Sequence, residues 1–176
     1  MSNCIPFTGG IPKDCDNNSG GIKRYIYLTD FDNITTYTEA GGTVSAITLA
    51  GATATYGFQK FEMNKNSGEF KQSSPKNLEA GSLYVEQVID ITIPRMTVAK
   101  RNVLDLLKNR YLVAIVPDNN NIYWVVGIGE GAYMTELTST SGKARGDGSS
   151  YHLVLTAEEN EDAFAIASAT LPALLV

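Results

Sequence analysis

Residues 83–94, LYVEQVIDITIP, alternate in character. Leu83, Val85, Ile89, Ile91 and Ile93 are apolar, with Gln87 as the one interruption. Tyr84, Glu86, Asp90 and Thr92 between them are mostly polar. Successive side chains of a strand point to opposite faces, so this stretch has one dry face and one wet face. That combination suits an antiparallel sheet or a barrel wall. Pro94 ends the run, because it has no N–H to give to a ladder. Thr97 then offers an N-cap for VAKRNVLDLLKN, and a helix is expected over 98–109. Ala99, Val103, Leu106 and Leu107 share one helical face with Leu104 beside them, while Lys100, Arg101, Asp105 and Lys108 point away.

Further alternating segments surround this unit. Residues 22–29 place Ile22, Arg24, Ile26 and Leu28 on one face and Lys23, Tyr25, Tyr27 and Thr29 on the other. Residues 30–55 are rich in Thr, Ala and Gly and read as short strands and loops. Residues 55–63 read as a strand, with Tyr56 and Phe58 on one side and Phe61 and Met63 on the other. The polar stretch 64–81 around Phe70 predicts a protruding hairpin or loop. YLVAIVP and IYWVVGI flank DNNN, which is a hairpin signature. AYMTELTST and YHLVLTA are two more strands, separated by the glycine-rich loop SGKARGDGS. The expected organisation is an N-terminal arm over 1–20, a β-domain over 21–160 and an apolar C-terminal arm over 161–176. The fold class is mainly β, an antiparallel β-sandwich or barrel with one flanking α-helix.

Bulk properties narrow the function. The chain has 176 residues, 43% of them hydrophobic and 19% charged, enough for one domain with its own core. A net charge of -5 argues against a basic nucleic-acid surface. The N-terminus shows neither a basic n-region nor an apolar h-region, so no secretory signal is expected. No apolar run reaches the length of a membrane span. Cys4 and Cys15 are two thiols in a chain of this size, not a disulfide framework. A reducing cytoplasm is the expected site of synthesis.

Candidate chemical motifs fail on spacing. Asp14, Asp16 and Asn18 alternate like the opening of a calcium loop, but the sixth and twelfth positions hold Ser19 and Tyr25 instead of Gly and Glu. GIGEG at 127–131 approaches a dinucleotide loop without the G-x-G-x-x-G spacing or a following helix. SGKARGDGSS is not a phosphate loop, and its Arg-Gly-Asp tripeptide is short enough to arise by chance. The single histidine, His152, lies on a strand, and no serine sits in a G-x-S-x-G elbow. Glu158, Glu159, Glu161 and Asp162 read as a solvated cap at a strand end. KRYIY at 23–27 mixes cations with aromatics, but tyrosines on one strand face read first as packing. No catalytic residue, metal ligand or cofactor site is expected.

Four blocks of the sequence, in order, carry a resemblance. They are DCDNNSGGIKRYIYLTDF, GSLYVEQVIDITIPRM, LLKNRYLVAIVPDNNNIYWVVGIGEG and TSTSGKARGDGSSYHLVLTAEE. Together they span most of the chain from Cys15 to about Glu159, and they resemble the tail tube proteins of tailed bacteriophages, particularly those infecting Bacteroidetes-type hosts. Residues 35–55 and the apolar tail depart from that pattern. The resemblance implies a structural virion protein, assembled in the host bacterial cytoplasm. Its subunits form rings, typically of six, that stack into a tube through which DNA is ejected. The implied partners are copies of the chain itself, other tail or connector proteins, and DNA in transient, non-specific passage, without membrane insertion.

On this reading Lys65, Phe70 and Lys71 in the polar excursion reach a neighbouring ring. Phe164, Ile166, Leu171 and Leu174 in the apolar tail are expected to need a neighbour's cover, since such a patch on a monomer invites aggregation. Glu86 and Asp90, on the wet face of 83–94, are the expected lumen-facing acids that repel phosphate. The alternatives are a head–tail connector ring (stopper or terminator), or a β-sandwich module binding carbohydrate or protein through Tyr123, Trp124 and Tyr133. An enzyme is the least favoured class.

Overall fold

The computed structural model describes residues 9–11, 13, 18–77 and 82–176. Asp14 and Asp16 of the rejected calcium loop lie outside them, as do both thiols, Cys4 and Cys15. Described residues of the N-terminal segment are tied to the chain's own DNNN turn. Ser19 N–H donates to Asn120 Oδ1 (2.8 Å), and Asn119 Nδ2 donates to Gly20 O (2.7 Å).

The core is organised around β9, Leu112–Pro117, in which six consecutive residues are buried. It pairs antiparallel along its length with β1 (Tyr25–Asp30) and β10 (Tyr123–Val126), and at Leu112 with Ala132. Alternation along β9 sends Leu112, Ala114 and Val116 into one core and Val113 and Ile115 into a second. The first core also takes Ile26 and Leu28 of β1, Ile89 and Ile91 of β8 (Val85–Pro94), and Leu153 and Leu155 of β12 (Ser150–Glu159). β1 and β8 are not neighbours in the sheet, so the sheet curves to bring their faces together. The second core takes Val44 of β3 (Thr43–Leu49) together with Phe58, Ile166, Leu171 and Leu174.

These strands belong to one 11-stranded sheet, joined by β2 (Ile34–Ala40), β4 (Gln59–Glu62), β5 (Gly68–Ser73), β11 (Ala132–Thr140) and β13 (Phe164–Ile166). The order β2-β3-β13-β10-β9-β11-β12-β8-β5 leaves the sheet unclosed, with β4 hanging from β1. It is mixed, because β13 runs parallel to β3. A purely antiparallel sandwich or barrel is therefore not what the chain forms. The mixed pairing comes from the tail, whose strand β13 lies between β10, antiparallel to it, and β3, parallel to it.

The strand 83–94 forms as its pattern requires, with burial alternating strictly along β8. Gln87 keeps the inward register because both ends of its amide are bonded, to Gly127 N–H and to Glu161 O. The hairpin around DNNN also forms, pairing Tyr123 with Pro117. Residues 30–55 give a longer hairpin than expected, β2 and β3, turned by Gly41 and Gly42 at φ 60° and 79°. The strand over 55–63 is corrected. Thr53–Tyr56 forms the short helix α1, and only Gln59–Glu62 is strand. Phe58 between them is held in the second core, its N–H bonded to Leu174 O.

The expected helix is α2, Val98–Leu107, capped by Thr97 accepting from Lys100 N–H. Its inward face is corrected. Leu104 is buried and Leu107 packs on the core, whereas Val103 and Leu106 are 45% and 63% exposed and Ala99 is exposed. The helix leans on the first core along a narrow stripe, and Lys100 anchors its start by donating to Pro94 O. With α1, two α-helices flank the sheet among the described residues, not one.

Because β9 is enclosed on both faces, the fold is expected to be most sensitive there. Ile115→Ala should lower the unfolding free energy by about 2–5 kcal/mol in a urea titration. Val103→Ala, on the exposed side of α2, should lie within about 0.5 kcal/mol of the parent.

Candidate functional site

Three surfaces collect the residues singled out by the sequence. The first is a hairpin built from β5 and β8, pairing Gly68 with Ile91 and Ser73 with Glu86. The same register continues in β6 (Lys76–Asn77) and β7 (Ser82–Leu83), so the ribbon extends beyond the sheet. The ladder is interrupted where Pro75, lacking an N–H, stands across from Tyr84. Lys65 is exposed in the turn at the base, beside Asn66 at φ 60°. Lys71 is exposed on β5 opposite Val88. Phe70 turns inward, its ring centroid 6.4 Å from that of Trp124. Trp124 is half-buried and donates to Asp118 Oδ2, so it is not part of an open aromatic platform.

β5 has no second strand partner among the described residues, and the same is true of β2 and β4. Unpaired edges are templates for strand addition, and bulges blunt them. β2 carries two register shifts against β3, whereas β5 pairs β8 without any. β5 is thus the more regular open edge.

The second surface is the outer face of β5, β8, β12 and β11. Glu86 and Asp90 share it, with Glu69 directly across from Asp90. Asp90 is not a free acid. His152 Nε2 lies 2.8 Å from Asp90 Oδ1, and its Nδ1 is 3.6 Å from Glu136 Oε1. The histidine therefore sits between two carboxylates from flanking strands. Towards the other end, burial raises the Tyr133 hydroxyl pKa, and the nearby charges of Glu158 and Glu86 raise it further. Among the described residues of these four strands, Glu69, Glu86, Asp90, Glu136 and Glu158 share this face with Lys71.

The third surface is the tail. Ile166, Leu171 and Leu174 are 4%, 6% and 3% exposed, all within the chain's own second core. The expectation that 161–176 cannot bury itself is corrected: β13 pairs with β10 and β3, and Leu174 and Val176 bond to Phe58 across a parallel bridge. Phe164 is half-buried, 6.5 Å from Tyr37 between ring centroids. The tail cements its own chain, and these three aliphatic side chains are not an exposed adhesive.

Glu159 is the residue that sequence reasoning misplaces. It is 8% exposed and accepts from Gly129 N–H and Glu130 N–H, both at 3.0 Å. GIGEG is thus a turn whose third and fourth amides cradle a carboxylate of the same chain. A Cβ on Gly129 would strike Glu159 Oε2, which explains the glycine. Burial raises the Glu159 pKa, outweighing the two amide bonds that lower it, and Glu130 raises it again. The spacing of two acids to a strand end offers no hint of this, because the partner loop is about thirty residues away. Beside Glu159 lies a cleft of about 350 Å³ bordered by Tyr37, Glu39, Glu161 and Phe164. Among the described residues no three His, Cys, Asp or Glu side chains are grouped to hold a metal.

No helix among the described residues is long and apolar enough to cross a membrane. No protein-family model, no curated protein and no solved structure matches the chain.

The Glu159 cradle has a measurable signature. A folded-state pKa above the unfolded value means the native state holds the proton more tightly, so this group's contribution is fully present below 4.5 and is lost as pH rises through the raised value. Glu159→Gln should flatten the fall in stability that the parent shows as pH climbs above 4.5, measured by thermal melts across a pH series. Gly129→Ala should cost about 1–3 kcal/mol by displacing a buried acceptor from its two donors.

Proposed function

We propose that this chain is a self-assembling structural subunit, specifically a ring subunit of a phage tail tube through which DNA passes at ejection. The observation that carries this is the sheet itself. It is mainly β and unclosed, with the unbulged edge strand β5 and a ribbon that extends beyond the sheet. Such edges are hazards in a free monomer and useful in an assembly that covers them. The resemblance of four ordered sequence blocks to tail tube proteins points the same way. Lys65 and Lys71 on the ribbon side are the proposed inter-subunit contacts.

The mechanism proposed is passive. Edges pair and patches bury, so assembly needs no covalent step. The face bearing Glu86 and Asp90 is the proposed lumen wall, because fixed carboxylates keep a phosphate backbone from adhering. The pairing of Asp90 with His152 leaves Glu86, Glu69 and Glu158 as the freer acids there.

Negative-stain microscopy of the purified protein at rising concentration should show rings or tubes. Monomeric particles alone at every concentration would refute the assembly. For the lumen assignment, tubes of the parent should not retain duplex DNA in a filter assay at low salt, whereas Glu86→Lys with Asp90→Lys should retain it. Equal retention by both would move the lumen to another face.

A further inference from the structure

Opposite ends of β8 carry two surfaces that match each other. At its C-terminal end the chain turns into α2 through Arg95, Met96 and Thr97. Arg95 takes φ 63°, a left-handed conformation uncommon outside glycine, and its N–H is bonded to Ser149 O. The corner so formed presents apolar side chains to solvent: Met96 is 39% exposed and Val98 is 73% exposed. Arg95 and Arg101 are exposed cations flanking them. Among the described residues neither meets a carboxylate within ion-pair distance.

At the other end, nine residues back along β8 and so roughly 30 Å away, is a cleft. Its volume is about 630 Å³, and it lies between the Gly41–Gly42 turn, Leu83 and residues 160–164. Leu83, Val85, Ala163 and Phe164 give it an apolar lining. Glu39, Glu161 and Asp162 stand around that lining, all exposed and without a cationic partner among the described residues.

We propose that the Arg95–Val98 corner of one copy seats in the Leu83/Phe164 cleft of the next, in a head-to-tail contact. The occupant is a second copy because the same chain supplies both halves of the match: two exposed apolar side chains for an apolar lining, and two arginines for three unpaired carboxylates. A chain of net charge -5 repels its copies on average, so attraction has to come from a local pairing of this kind. The two surfaces differ and face opposite ends of one strand. The contact is therefore heterologous, and it repeats from copy to copy as a ring or a filament. This rests on the proposed self-assembly and specifies its geometry.

Charge reversal tests the contact. Arg95→Glu with Arg101→Glu reverses the corner, and Glu161→Arg with Asp162→Arg reverses the cleft. In sedimentation velocity each double variant should self-associate at least about tenfold more weakly than the parent, since each opposes like charges across the contact. An equimolar mixture of the two should recover assembly, because every corner then finds a cleft of opposite sign. Misfolded variants cannot produce that recovery. Assembly of either double variant at parental strength would overturn the contact while leaving the self-assembling subunit standing. Loss in each variant without recovery in the mixture would overturn it as well. A parent that stays monomeric at every concentration would remove both proposals together.

Discussion

A strand that is dry on both faces has to be placed before anything else in a domain can be. Leu112–Pro117 is such a strand, and each of its two faces belongs to a different core. The first core requires β8, β11 and β12 to curve back over Leu112, Ala114 and Val116. The second requires a separate lid over Val113 and Ile115, and the chain makes that lid from its β2–β3 hairpin, Phe58 and its last dozen residues. Among the described residues the outer strands β2, β4 and β5 each keep one edge without a strand partner.

Local patterns are legible in the sequence and distant partners are not. The alternation in 83–94, the DNNN hairpin and the capped helix after Thr97 are each decided within a few residues, so periodicity and capping reveal them. The side of α2 that faces inward is decided by where the first core happens to end. Periodicity groups Leu106 with Leu107, whereas only a stripe through Lys100, Leu104 and Leu107 meets the sheet. Phe58 reads as the middle of a strand because its apolar neighbours alternate. Its backbone partner is instead Leu174, more than a hundred residues later. Of the candidate contact residues, Lys65 and Lys71 are exposed as expected, and Glu86 and Asp90 share an outward face. Ile166, Leu171 and Leu174 mislead because an apolar tail looks the same whether it covers its own chain or another.

Buried polar groups explain how the tail and the central hairpin are held in register. Gln87 bonds Gly127 N–H on one side and Glu161 O on the other. Glu159 bonds two further amides of the same turn, at Gly129 and Glu130. Two inward polar side chains, from β8 and β12, thus clamp the β10–β11 turn against the start of the tail. Unpaired, each would cost the desolvation of a buried polar group. Satisfied, they fix where residues 160–164 leave the sheet. That position determines the cleft in front of Leu83.

Enclosing the tail within its own chain changes what the proposed assembly has to rely on. An exposed apolar arm would give strong but undirected adhesion, open to any apolar partner. With Leu171 and Leu174 inside, the surfaces proposed for contact among the described residues are a regular strand edge and two small apolar patches flanked by opposite charges. Strand pairing is directional through its hydrogen bonds, and charge pairing excludes like-signed ends. In a heterologous assembly the rotation at each contact decides between a closed ring and an open filament, so a single permitted geometry matters as much as the strength of any one contact.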